Sequence, residues 1–469
     1  MYKERLHAYF QDHLGELLED ISTLVPINSE DMEPEAGMPF GRGPAQCLEA
    51  AGQIMKRYGF AVKNYDNYVV TADIGPVPRK LDILAHLDVV PAGEGWTVTE
   101  PFRAKIQDGR IYGRGTADDK GPAVCALYAI RAIQELGIPL RSGVRLILGS
   151  NEERGSGDLR YYYQKEKSAP MSFSPDADFP VINVEKGGLF AGFHSNTAAP
   201  SALPRLVKLQ SGIRGNIVPD RATAMIEGFT LPEIQSAANR FMEQCAVTVT
   251  CVRHGEAVCV TVEGKTAHAS TPERGENAIT AMLELLASLP LAESETRDQL
   301  IALHKLFPHG DFHGKALSVD LEDAVSGKTT LSLNILQFED GQFSGLFDCR
   351  ACLAATDENT TDVVYGKLKE NGFLPDSEDR GMYPPHHVPE ESELVQSLLR
   401  AYSEITGKEG KPIAIGGGTY VHNIENGVAF GCAVEDVDNH MHGADEFMEI
   451  DMILQSCEIF AQAILNLCG

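Results

Sequence analysis

The sequence predicts an α/β protein, with a mainly parallel-sheet domain covered by helices on both faces and an inserted α+β domain. Three observations point there. Residues from about 46 to 184 alternate helical and apolar strand patterns, residues beyond about 186 change to longer alternating strands, and the end of the chain returns to the first texture. Helix–strand alternation implies crossover units and parallel strands, whereas period-two strands imply antiparallel pairing with one solvated face.

The elements follow in order. In MYKERLHAYFQDHLGELLEDI, Leu6, Phe10, Leu14, Leu17 and Ile21 fall at helical spacing among charges, which predicts an amphipathic surface helix rather than a signal peptide. CLEAAGQIMKRYG reads as helix, LDILAHLDVV as strand, GPAVCALYAIRAIQELG as helix, and VRLILGS and VINVEK as strands. The second texture holds the strands RLVKLQSG, VTVTCV, AVCVTVEG and TTLSLNILQFED and the helices LPEIQSAANRFMEQC and NAITAMLELLASL. It ends near TDVVYGKLKENG, and the Pro-rich MYPPHHVPEES is read as a return linker to SELVQSLLRAYSEITG, KPIAIGGG and a last helix around MILQSCEIFAQAILNL. The expected boundaries are a discontinuous domain of 1–185 and 385–469 and an insert of 186–384.

Composition narrows the function classes. A chain of 469 residues, 43% hydrophobic, can bury more than one core. Its formal charge of -27, from 40 basic and 67 acidic residues, works against nucleic-acid and anionic-membrane partners. No stretch of roughly 18 apolar residues suggests a membrane span. Ten scattered cysteines form no paired framework, so reduced thiols in a cytoplasmic protein are expected. Cys349 and Cys352 have no second pair to complete four ligands. GKT occurs in EGKTAH and SGKTT, but Cys259 and Glu322 stand where a phosphate loop needs glycine, and GRIYGRG lacks the strand-to-helix context of a dinucleotide site.

The chemistry-bearing residues are distributed over five segments. His86 and Asp88, two apart near a strand's carboxyl end, share one face. A metal can take one imidazole nitrogen while a carboxylate holds the other N–H. Asp118 and Asp119 lie in GRGTADDKG, where they could cap a helix, although a carboxylate in so tight a turn can also bridge two cations. Glu152 and Glu153 follow a buried strand, Asp176 lies in SPDADFP, and VEDVDNHMHGADEF offers His440 and His442, between which spacing does not choose. Two imidazoles and three carboxylates from these positions suit two zinc-like ions with one shared acid, leaving one glutamate as a general base.

Taken in order, AHLDVV, GRGTADDKGP, SNEERGSGD, SPDADFP and MHGADE resemble the di-zinc metallopeptidases that include carnosinases, aminoacylases, desuccinylases and glutamate carboxypeptidases, and among them the PepV-like bacterial dipeptidases. The resemblance implies two Zn2+ per subunit, with Mn2+ or Co2+ as alternatives. One would be held by His86 and Asp176, the other by Glu153 and His442, with Asp118 bridging through a cis peptide to Asp119. It also implies that Asp88 orients His86 and that Glu152 is the base and then the acid. In the insert, read as the family's lid, His268 of GKTAHAST would stabilise the oxyanion, while Asn216 and Arg350 would meet the substrate backbone and its terminal carboxylate. Gly416 of GGGTY would close on the same end, and His422 departs from the family pattern. The insert is large for one lid subdomain. Because PepV-like members double a ferredoxin-like lid to mimic a partner subunit, a monomer acting on small peptides is expected, with dipeptides, including the β-Ala-His type, as substrates. The rival activity is N-acyl removal or carboxypeptidase trimming; a non-catalytic relative would be expected to have lost a ligand or the base.

Overall fold

The computed structural model describes residues 2–377, 381–434 and 436–469. The chain forms two compact units, Met1–Val184 with His387–Ile413 and Gly418–Gly469, and Glu185–His386 with Ala414–Gly417.

In the first unit the strand Arg79–His86 pairs parallel with Gly143–Gly149 and with Met171–Ser174, which pairs parallel with Gly427–Ala429. Val69–Ile74 and Val62–Tyr65 extend the sheet antiparallel on one side, and Val181–Glu185 joins Gly427–Ala429 antiparallel on the other. Leu81 to His86 are all buried, as is every residue of Val181–Glu185, the pattern of strands covered on both faces. His86 lies level with Gly149, so the loops after these two strands leave the sheet at the same edge. In such sheets the carboxyl edge is where ligands bind.

The helix Lys120–Glu135 is buried from Lys120 to Ile133 and packs against the sheet and the helices Leu14–Leu24 and Ile450–Cys468. Its length is mostly small and apolar, with Lys120 and Arg131 the charged side chains it buries, so almost no face is given to water. Ile450–Cys468 is, among the described residues, the one helix long and apolar enough to cross a membrane, but 56% of its apolar window is buried inside the fold. The amino-terminal segment forms two helices, Lys3–Asp12 and Leu14–Leu24, instead of the single one expected. His13 leaves helical geometry at φ -104° and ψ 7°, with its Nδ1 2.8 Å from the Tyr9 carbonyl. The break lets Leu6 and Phe10 on one side, and Leu17 and Ile21 on the other, all reach the core.

The second unit is built on an antiparallel sheet in the order Thr248–His254, Ala257–Glu263, Arg221–Glu227, Arg205–Ser211, Thr330–Glu339, Gln342–Ala351, Gly187–Asn196 and Leu374–Pro375. It consists of two four-stranded halves joined where Lys208 faces Glu339. Leu231–Met242 and Ala278–Ala287 serve one half, and Glu295–Leu306 and Asp362–Glu370 fall in the stretch that builds the other. Strands such as Arg221–Glu227 alternate exposed or half-buried with buried residues, so one face carries the core. This is the doubled ferredoxin-like arrangement. All ten cysteines are free, Cys349 and Cys352 among the buried ones.

Candidate metal centre

Five of the residues chosen from sequence meet at the carboxyl edge of the first unit's sheet. His86 Nε2 lies 3.1 Å from Asp118 Oδ1 and 3.5 Å from Asp176 Oδ2. His442 Nε2 lies 2.7 Å from Asp118 Oδ2 and 3.4 Å from Glu153 Oε1. The donor atoms of His86, Asp118 and Asp176 all fall within 4.8 Å of one another, as do those of Asp118, Glu153 and His442. Asp118 therefore belongs to both groups, with one oxygen toward each imidazole. His86 Nε2 and Glu153 Oε1 are buried without a well-formed hydrogen bond, which is costly unless something else meets them. Two divalent cations fit this donor set of two imidazoles and three carboxylates.

Local structure explains each position. Gly115 has φ +89°, and a Cβ there would stand 2.8 Å from the Lys120 side chain. A Cβ at Gly121 would stand 2.0 Å from the Thr116 carbonyl oxygen. The glycines of GRGTADDKG thus let the turn close against the start of the following helix. Asp119 precedes that helix without a side-chain capping bond, so neither aspartate is used as a cap. Instead, Asp119 Oδ2 accepts a hydrogen bond from His86 N at 2.9 Å. The Asp118–Asp119 peptide is cis.

Asp88 is completely buried. The acceptor nearest His86 Nδ1 is the Asp88 main-chain carbonyl at 3.0 Å, with Asp88 Oδ1 at 3.4 Å. The Asp88 carboxylate accepts from Glu152 N and Glu153 N, each at 3.1 Å. It therefore holds the glutamate pair at least as directly as it holds the imidazole. No described residue donates a hydrogen bond to the Glu152 carboxylate. His440 lies apart, with Nδ1 3.1 Å from the Ala444 carbonyl and its ring against Phe447.

The site's electrostatics are those of crowded acids. Burial would raise the Asp118 carboxyl, but hydrogen bonds from His442 and His86 outweigh it and hold it low. Glu153 is pushed up to about 7 by burial and by the neighbouring Asp118. Burial, with Asp176 and Glu153 close by, drives Glu152 well above the usual carboxylate range, and burial followed by Asp118 raises Asp176. Burial opposes protonation of His442, yet Asp118 and Glu153 carry it up to about 11. Bound cations would reverse the carboxylate trend.

Sequence reasoning passed over several residues that hold this centre. Asp158 accepts from Ser150 N at 2.5 Å, from Asn151 N at 2.9 Å and from the Tyr420 hydroxyl, so it fixes the turn into Glu152. The Tyr420 ring stands edge-on to His86, 5.8 Å between centroids. Glu446 receives the turn that carries Asp118. Their signal was present in SGD, GTY and ADE, but only the fold shows which backbone groups they meet.

The other chosen residues lie together in the second unit. His268, in the short strand Ala267–His268, pairs with Ile217, and Ala269 N donates to Asn216 O at 2.9 Å. Its Nδ1 is 2.7 Å from the Ser270 hydroxyl. Arg350 donates from Nε and Nη2 to the two oxygens of Asp348, at 2.6 and 2.7 Å, and from Nη1 to Gly416 O at 2.7 Å. A Cβ on Gly416 would stand 2.6 Å from Ser270 Cβ, so the chain must pass Ser270 there without a side chain. His422, in the first unit, donates its main-chain N–H to Thr419 O at 3.1 Å.

Paired metal-ligand groups at the carboxyl edge of a mixed α/β sheet are the arrangement of a metal-dependent enzyme. The chain belongs to peptidase family M20/M25/M40, whose model matches residues 83–466, and it is a peptidase. It is 35% identical over 464 residues to YtjP of Bacillus subtilis (strain 168), covering 96% of this chain and 97% of that one. It is 34% identical over 456 residues to the Beta-Ala-Xaa dipeptidase of Lactobacillus delbrueckii subsp. lactis, covering 96% of each. Its fold is similar to that of human carnosine dipeptidase 1, with a TM-score of 0.62 at 16% identity over 100% of this chain and 99% of the other.

Proposed function

We propose that this chain is a dinuclear-metal dipeptidase that hydrolyses unblocked dipeptides, including those with an amino-terminal β-alanine. The observation that carries the reading is Asp118, whose two oxygens face His86 and His442 separately. His86 and Asp176 would hold one cation, Glu153 and His442 the other, and Asp118 both. Zn2+ suits the mixed nitrogen and oxygen set, with Mn2+ or Co2+ as substitutes. The bound cations would supply Lewis acidity and lower the pKa of the attacking water toward about 7.

The chain's own residues do the rest. Glu152, whose carboxylate takes no hydrogen bond from a described residue while its main chain is fixed by Asp88, takes the proton of the attacking water and returns it to the leaving amine. The main chain of Glu152 is held by Asp88, so base and ligand keep a fixed spacing. His268 is proposed to stabilise the carbonyl oxygen as it gains charge. Arg350 also meets the Tyr383 side chain beside Asp348 and Gly416, and a guanidinium fork matches a carboxylate; with Asn216 and Gly416 it is proposed to recognise the substrate's terminal end. Residues 1–185 with 385–469 form the metal-binding domain in this reading, and 186–384 a doubled lid that serves in a monomer. The name of the Lactobacillus relative supports β-alanyl substrates, and ten free cysteines support a reducing, cytoplasmic setting.

The test is a kinetic panel of unblocked dipeptides, N-acyl amino acids and tripeptides with Zn2+- or Mn2+-loaded protein. Dipeptides are expected to have the highest kcat/KM; no dipeptide turnover, or preference for N-acyl substrates, would overturn the reading. Glu152→Gln is expected to keep both metals while turnover falls by about 10²- to 10⁴-fold.

A further inference from the structure

Four residues beyond His442, Glu446 is completely buried. Its Oε1 accepts hydrogen bonds from Gly115 N at 3.0 Å, Ala117 N at 2.8 Å and Asp118 N at 3.2 Å. Its Oε2 receives Arg114 Nη1, which is itself buried. The Glu446 main-chain carbonyl accepts from Gly113 N at 3.0 Å. One residue thus gathers four of the six main-chain N–H groups from Gly113 to Asp118. Arg114 also reaches the Ala92 carbonyl at 3.2 Å and lies over the Trp96 ring, so the turn is tied to the 91–96 segment as well.

The segment that delivers Glu446 is equally constrained. His440, His442 and Asp445 all have positive φ, and Gly443 N donates to His440 O at 2.7 Å. Asp445 accepts from Thr97 N and Val98 N, each at 2.8 Å. Beyond it, Phe447–Glu449 pairs with Arg110–Tyr112, the strand that leads into the Asp118 turn. A five-residue segment therefore carries His442 at one end and the clamp on Asp118 at the other.

We infer that Glu446 is a positioning residue that fixes the spacing between Asp118 and His442, and so sets the geometry of the cation site they share. It acts through the Asp118 main chain and touches no reacting atom. Filling the space alone would need neither a negative charge nor three N–H groups on one oxygen. A buried carboxylate is tolerated because every oxygen is met by donors. The inference rests on the two-metal reading proposed above.

The experiment is a Zn2+ titration of the full chain against a chromophoric chelator, for the wild type, Glu446→Gln, Glu446→Asp and the control Glu449→Gln. Glu449 lies on the adjoining strand and pairs with Arg110 at 3.1 Å. Glutamine keeps the shape but turns an N–H₂ toward Arg114, and aspartate keeps the charge one methylene short. The wild type and the control are expected to bind two Zn2+ alike. Both Glu446 variants are expected to weaken at least one of the two Zn2+ by about 10- to 100-fold, the range seen when a residue behind a metal ligand is removed. Lost folding stability alone leaves the affinity of the folded protein unchanged, so affinities within twofold of wild type overturn the inference. If Glu446→Gln does not fold, Glu446→Asp and Arg114→Lys carry the same comparison. Failure of the wild type to bind two Zn2+ overturns the two-metal reading, and this inference with it.

Discussion

Replacing Asp88 with asparagine tests how the glutamate pair is held. Two hydrogen bonds, each 3.1 Å, run from Glu152 N and Glu153 N to the separate oxygens of a fully buried carboxylate. A hydrogen bond to a charged partner contributes about 1.5–3 kcal/mol, and a neutral one about 0.5–1.5 kcal/mol. Asparagine can accept one N–H but turns its own N–H₂ toward the other, so one bond is lost and the survivor weakened, about 3–4 kcal/mol in all. The main-chain carbonyl that faces His86 Nδ1 is untouched. If about half of the loss is expressed as displacement of Glu152 rather than as lost folding stability, kcat falls by about 10- to 30-fold. The assay is steady-state hydrolysis of a dipeptide by metal-saturated Asp88→Asn, with metal content and folding verified in parallel. A folded, metal-loaded variant with kcat within twofold of wild type would refute the claim that Asp88 sets the base.

Chelation followed by dialysis should abolish turnover and lower the thermal midpoint, and Zn2+ or Mn2+ should restore both; full activity in metal-free protein would exclude the proposed centre. Asp348→Asn removes the paired acceptor that fixes Arg350. Its KM for dipeptides with a free carboxylate should rise about tenfold, equivalent to one charge-assisted hydrogen bond, with kcat nearly unchanged and no effect on the corresponding amides. Asp82, buried on the strand that carries His86, has its carboxyl pushed up to about 6 by burial, against hydrogen bonding from Ala169 N and the charge of Arg79. Its folded pKa exceeds the unfolded value of about 3.9, so its contribution to stability is complete below about pH 4 and lost as pH rises through 6, about 3 kcal/mol at most. Asp82→Asn should therefore gain on the wild type between pH 4.5 and pH 7.5 in urea denaturation; a pH-independent difference would contradict this.

Much of the fold was legible because its causes are local. The apolar run before His86 and the one before Glu152 read as buried strands from composition alone, and both stand in the parallel centre of the sheet. The break at His13 was not legible, because the helical spacing of Leu6, Phe10, Leu14 and Leu17 continues straight through it. There, the need to seat two short apolar faces on one buried helix overrode the periodicity. Likewise, nothing in the strand patterns said that the two halves of the second unit's sheet would join through Lys208 and Glu339, since pairing between distant strands leaves no local mark.

The same distinction separates the ligands from their supports. A ligand is chosen by side-chain chemistry, and histidine or aspartate at a strand end or in a glycine-rich turn carries that chemistry in its identity. A support is chosen by the backbone donor it meets. Asp88 meets Glu152 N and Glu153 N only because His86 and Gly149 end level on parallel strands, and Glu446 meets Asp118 N only because Phe447–Glu449 pairs with Arg110–Tyr112. Both are anions that donate nothing to a reaction, yet their carboxylates engage main-chain N–H groups of Glu152, Glu153 and Asp118. Removing a ligand would empty one position. Removing either support would shift several donors at once, and so the Asp88 and Glu446 variants test the geometry of the centre more sharply than loss of a single ligand would.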